Sequence, residues 1–146
     1  MNQSTLVKKE LSNFYAINKQ VNQYFNGSEI DFLPENIQQI LMDYVRITCA
    51  CEEDTSSVLH ALGFNPTNTI DSIVQEITRN LQDTIREEIS DDVKATGYQL
   101  SLNRLIGYQI SNLENLKFMT ADGKYQIEDI LRHSDSLAHV KKNILA

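Results

Sequence analysis

From Leu6 to Phe25 the apolar positions Val7, Leu11, Phe14, Ile17, Val21, Tyr24 and Phe25 recur every three or four residues, the spacing that lines one face of a helix. Asn26-Gly27 closes that stripe. A second begins behind Pro34, whose fixed φ suits a first helical turn, and carries Ile37, Ile40, Leu41, Tyr44, Val45 and Thr48. The polar run from Glu52 to Thr55 predicts a break, then a short helix through Leu62 that stops at Gly63 and Pro66. The clearest stripe is Ile70, Ile73, Val74, Ile77, Leu81, Ile85 and Ile89, with Thr67 to Thr69 as candidate caps. Isoleucines are weak helix formers, so packing must stabilise this element. Ser90-Asp91-Asp92 reads as a stop and a fresh cap.

The stretch GYQLSLNRLIGYQIS, residues 97 to 111, repeats Gly-Tyr-Gln-(Leu/Ile)-Ser at an interval of ten. On a helix that interval turns through about 1000°, which places Tyr98 and Tyr108 about 80° apart. A strand would align them, yet Asn103-Arg104-Leu105 between the copies offers no glycine for a tight turn. Tyr98, Leu102, Leu105, Ile106, Ile110, Leu113 and Leu116 fit a helical face, and the repeat is read as packing. Gly97 and Gly107 then mark a close helix crossing or a bend, since glycine costs about 1 kcal/mol relative to alanine in a helix. Ala121-Asp122-Gly123 could close a hairpin between Lys117 to Thr120 and Lys124 to Ile127, or Gly123 could separate two helices. Ser134 caps a last helix with Leu137, Val140, Ile144 and Leu145.

These stripes predict an all-α fold, residues 1–146 forming one compact bundle of about five to seven helices; the alternative is α+β with one short hairpin near residues 116–128. A chain of 146 residues can bury a core unaided. Cys49 and Cys51, two apart on a helix, diverge by about 200° and cannot form an unstrained disulfide, so they read as small buried hydrophobes of a reducing compartment. With no apolar signal core and no apolar run of about 20 residues, the reading is cytoplasmic, without a membrane role. Periodicity leaves monomer and dimer open.

Charge changes the picture more. The chain carries 20 acids against 13 bases, net −7. Residues 1 to 28 and 93 to 146 are each at +2, while residues 29 to 92 hold fourteen acids against Arg46, Arg79 and Arg86, for −11. Such a middle repels phosphate backbones and attracts a basic protein, which disfavours direct nucleic-acid binding.

Three constellations could carry chemistry. Arg132-His133-Ser134-Asp135-Ser136-Leu137-Ala138-His139 resembles the Arg-(Asn/His/Asp)-x4-6-His signature of HEPN-type ribonucleases, which are helical bundles. That resemblance implies Arg132 on phosphate, His133 in the polar second position and His139 assisting proton transfer. Seven residues bring Arg132 and His139 to nearly the same helical face, and histidine titrates where such chemistry works. Glu87-Glu88-Ile89-Ser90-Asp91 resembles half of the carboxylate motif of all-α nucleotide pyrophosphohydrolases of the MazG kind, in which Glu88 and Asp91 would share magnesium. The partner motif departs, because Glu76 is followed three residues on by Arg79. Cys49, Cys51 and His60 lack the ligand number and spacing of a zinc site. Phosphate loops, nucleophile elbows and paired metal-binding histidines are missing from the sequence, so no metal or other cofactor is expected.

The sequence reading is therefore a non-enzymatic binding module of inhibitor, immunity-protein or chaperone type, whose acidic centre docks on a basic protein. Its contact residues are Glu52, Glu53 and Asp54 at one helix break and Glu87, Glu88, Asp91 and Asp92 at another, with Tyr44 or Tyr98 as a possible aromatic anchor. The alternative is a HEPN-like ribonuclease using Arg132, His133 and His139.

Overall fold

The computed structural model describes residues 1–66 and 68–146. It contains α1 (Gln3–Phe25), α2 (Glu35–Ala61), α3 (Ser72–Arg86), α4 (Asp91–Met119), α5 (Glu128–Leu131) and α6 (Ser134–Ile144), with no strand among the described residues. The helices α1, α2, α6 and α4 pack in a ring, each on the next; α3 lies outside against α4 and α1, and α5 is one turn beneath α2. Neighbours in the ring are antiparallel. Phe25 stacks edge-on against Tyr44 while Asn22 reaches Glu52, which fixes α1 against α2. Asn18 accepts from Gln109 while Gln3 reaches Asp122, which does the same for α1 and α4. Gln99 donates to the Ile144 carbonyl while Gly107 sits beside Lys141, which orients α6. The fold is thus a four-helix bundle in which the connection carrying α3 crosses between the diagonal helices α2 and α4, with α3 and the single turn of α5 added outside the ring.

The predicted stripes face the middle. Phe14, Ile17, Tyr44, Leu59, Tyr98, Leu102, Leu105, Ile106 and Leu113 are all buried in the core. Tyr44 and Tyr98 are therefore core residues and not surface anchors. A polar chain crosses this core between the diagonal helices: Tyr44 Oη donates to Gln109 Oε1, Gln109 Nε2 to Asn18 Oδ1 at 3.0 Å, and Asn18 Nδ2 to the Phe14 carbonyl at 2.7 Å. Tyr44, Gln109 and Asn18 are each partnered in this series of bonds, which fixes one register of α1, α2 and α4 rather than weakening them.

Three expectations need correction, and the hairpin alternative is set aside. The break at Glu52 to Thr55 is absent, because the buried face of α2 continues through Thr48, Cys51, Thr55, Val58 and Leu59 at the same helical spacing. Thr48 and Thr55 are buried without loss because each hydroxyl donates to the carbonyl four residues earlier, at 2.9 and 2.6 Å. Gly63, at φ +72°, ends the helix in a Schellman motif, with Phe64 N–H on the Leu59 carbonyl and Gly63 N–H on that of His60. The hairpin near 116–128 does not form: α4 runs on to Met119, and Gly123, at φ +76°, turns the chain towards α5. Of the candidate caps, Thr67 lies outside the described residues, and the cap of α3 is Asp71, whose side chain accepts from Val74 N–H at 2.8 Å. The cysteines differ in placement, with Cys51 buried and Cys49 exposed.

Helix α3 is less embedded than its isoleucines suggest. Only Val74 and Leu81 are fully buried, Ile77 and Ile85 are half-buried, and Ile70 and Ile73 are exposed. An outer helix has one covered flank, so a broad apolar stripe exceeds what it can bury. The repeat at 97 to 111 lies within α4, Tyr98 inside the core and Tyr108 at its margin. Of the two glycines only Gly107 sits at a tight crossing, where a Cβ would come 3.2 Å from Lys141 Cε; at Gly97 the nearest atom, Thr84 Cγ2, stands at an ordinary 3.7 Å.

Candidate functional site

The candidate residues fall in three places. The first is the turn between α5 and α6. There Arg132 Nη2 lies 2.9 Å and His133 Nε2 2.6 Å from one oxygen of Asp54, so a carboxylate of α2 holds both side chains of the turn. Burial alone would raise the Asp54 carboxyl, but hydrogen bonds from His133 and Arg132 outweigh it and bring the group below its ordinary value. His133 is the more enclosed of the two partners. Because α6 begins at Ser134, Arg132 and His139 do not share one helix, and the spacing that would align them for catalysis does not apply. His139 sits instead on α6, bonded to Asn143, in a shallow cleft opposite Asp43 and Arg46 of α2.

The second place is the outer side of α2. Glu52 accepts from Asn22 Nδ2 at 2.7 Å, and Glu53 is exposed beside Cys49, Ser56 and Ser57. The Cys49 thiol is pushed up by burial and by the Glu52 carboxylate, and contacts Asn22 Oδ1 at 3.4 Å, so it has no activated thiolate character. His60, further along the same helix, is exposed.

The third is the corner between α3 and α4. Helix α3 ends at Arg86 and α4 starts at Asp91, so Glu87 and Glu88 lie in the link while Asp91 and Asp92 form the first turn of α4. This overturns the geometry that put Glu88 and Asp91 on one helix. Glu76, upstream, is paired with Arg79 at 2.9 Å. All four corner carboxylates are exposed, and none makes an ion pair with a described residue. The adjacent Lys94 turns inward instead, its Nζ donating to the Ile85 carbonyl at 3.0 Å and lying over the Phe32 ring. Between the carboxylates two apolar side chains face water, Ile89 at 40% and Val93 at 59% exposure.

The seven acids thus form two groups and not one surface. Those of α2 face α1 and the α5–α6 turn, whereas the corner belongs to α3 and α4, and α2 and α4 stand diagonally across the bundle. Two of the three acids of the first group, Glu52 and Asp54, are already engaged inside the molecule; those of the second make no ion pair with a described residue. A buried residue that the sequence reading passed over is Asp71, which accepts from Tyr108 Oη at 2.7 Å while its main chain pairs with Gln20 in both directions. Burial, reinforced by the Asp71 carboxylate, pushes the Tyr108 hydroxyl up to about 12. A lone Asp ahead of the α3 stripe, three residues before Val74, was its available signal.

Among the described residues no group of three or more His, Cys, Asp or Glu side chains is placed to hold a metal ion. No helix among them is long and apolar enough to cross a membrane. No protein-family model, curated protein or solved structure gives a significant match to the chain.

Proposed function

We propose that the chain is a non-catalytic protein-binding module that docks through the α3–α4 corner on a basic, partly apolar surface of another protein. One observation carries this reading: four exposed carboxylates without internal cations, Glu87, Glu88, Asp91 and Asp92, frame the exposed apolar side chains Ile89 and Val93. An apolar centre with a charged rim is the anatomy of a protein interface, where the centre supplies affinity and the rim supplies rate and selectivity. Asp91 and Asp92 also favour the N-terminus of α4 through the helix dipole, a local role that leaves their outer oxygens free. Inhibitors, immunity proteins and chaperones work by such docking.

The test compares capture from the native cell by the wild-type chain, by a neutralised corner (Glu87→Gln, Glu88→Gln, Asp91→Asn, Asp92→Asn) and by Ile89→Ser. The expected result is one basic protein held by the wild type, released by salt, and lost by both variants while their helical circular dichroism is unchanged. Undiminished capture by either variant would refute the assignment of the corner.

A further inference from the structure

A groove separate from that corner runs between the end of α1, the loop behind it and the first half of α2. Phe25, Ile30, Leu41, Met42 and Val45 line it, together with Ser28 and Arg46, around a volume of about 340 Å³. That is the lower end of the range for sites that take small organic molecules. Its walls are rigid on one side, because the Phe25 ring is held edge-on by Tyr24 and by Tyr44. On the other side Met42, 54% exposed, leaves a flexible thioether at the mouth.

Two polar features distinguish this groove from an ordinary surface dip. Ser28, Tyr24 and Tyr98 gather their buried hydroxyls close enough to interact with one another. Ser28 lines the groove, so this group of hydroxyls borders it. Arg46 is the only cation among the lining residues, and its one ion pair is with Asp43, one turn back on α2 and itself well exposed. Exposed pairs of this spacing are weak, and a guanidinium keeps further donors for a second carboxylate.

We infer that this groove binds a medium-chain carboxylate, with the hydrocarbon against Phe25, Ile30, Leu41, Met42 and Val45 and the head on Arg46. A carboxylate is the head group whose charge complements the guanidinium, whereas an ammonium head is repelled by Arg46. An uncharged alcohol forgoes the attraction between opposite charges.

Titration of the isotope-labelled full chain with octanoate, octanol and octylamine, followed by NMR, tests this. Octanoate is expected to give saturable shifts at Ile30, Leu41, Met42 and Val45, with octanol and octylamine weaker by about fivefold or more. Arg46→Ala should reduce octanoate to the level of octanol, and Val45→Trp, which fills the groove, should abolish both; Arg46 is exposed, so its variant keeps the fold. Absence of saturation, shifts centred elsewhere, or unchanged octanoate binding by Arg46→Ala would overturn the inference. So would equal binding of octanol, which would mark a seat for a partner's apolar side chain. Shifts at these residues on raising protein concentration alone would assign the groove to a second copy, and would equally overturn it. None of these readouts involves Glu87, Glu88, Ile89 or Asp92, so failure here leaves the corner proposal standing.

Discussion

Replacing Asp71 by alanine probes the attachment of α3 to the bundle. Asp71 is 5% exposed and performs two jobs with its carboxylate: Oδ1 caps Val74 N–H at 2.8 Å, and Oδ2 accepts from Tyr108 Oη at 2.7 Å. Loss of an N-cap costs about 1 kcal/mol. A hydrogen bond to a charged acceptor contributes about 1.5–3 kcal/mol, and the lower end applies because Tyr108 is only half-buried and can turn to water. The bonds from Gln20 go to the main chain of residue 71 and survive the change. Asp71→Ala should therefore lose about 2.5 kcal/mol, a large share of the roughly 5–15 kcal/mol that stabilises a domain. Urea denaturation followed by circular dichroism gives the total, and hydrogen exchange of the α3 amides reports local opening. Tyr108→Phe alone should lose about 1–1.5 kcal/mol, and the double variant less than the sum by about the same amount. Additive losses, or a loss below about 1 kcal/mol for Asp71→Ala, would refute this account of how α3 is held.

The remaining expectations concern glycine, alkali and acid. Gly97→Ala should stabilise the protein by about 0.5–1 kcal/mol in urea, since a Cβ there meets Thr84 Cγ2 at 3.7 Å, while Gly107→Ala should gain less because Lys141 must move. Burial pushes both the Cys51 thiol and the Tyr108 hydroxyl up to about 12, from 9.0 and 10.0 respectively, so the folded state favours their neutral forms. Their contribution is complete below the unfolded values and lost as pH rises towards about 12; urea midpoints should fall across that window, less steeply from pH 9 in Cys51→Ala and from pH 10 in Tyr108→Phe. Asp54 has the opposite sign: although burial opposes it, the bonds from His133 and Arg132 lower the carboxyl, so its contribution is present above the ordinary value of 3.8 and lost as pH falls below it. In acid titration by circular dichroism, Asp54→Asn should lose less stability below pH 3.8 than the wild type, and an identical acid slope would count against the tie between α2 and the α5–α6 turn.

The helical class and four of the element positions are legible in the chain because apolar spacing reports burial directly, as Val7 to Val21 and Leu102 to Leu116 illustrate. Legibility fails where a buried face is not apolar. Residues 48 to 55 place threonine and cysteine inside, and their hydroxyls are satisfied within the helix, so a sequence that reads as a polar interruption is the continuous middle of α2. It fails in the other direction at α3, where Ile70 and Ile73 declare burial that an outer helix does not provide. The acidic residues show a third limit. Their number is plain in the sequence, but whether a carboxylate is spent inside the molecule depends on partners far along the chain: Asp54 on Arg132 and His133, Glu52 on Asn22, Asp71 on Tyr108. What distinguishes Glu87, Glu88, Asp91 and Asp92 is that the neighbouring Lys94 is committed to the end of α3 and the Phe32 ring. Net charge therefore argues for a basic partner only through those carboxylates the fold leaves unpaired, and at the α3–α4 corner they surround apolar side chains that a partner could cover.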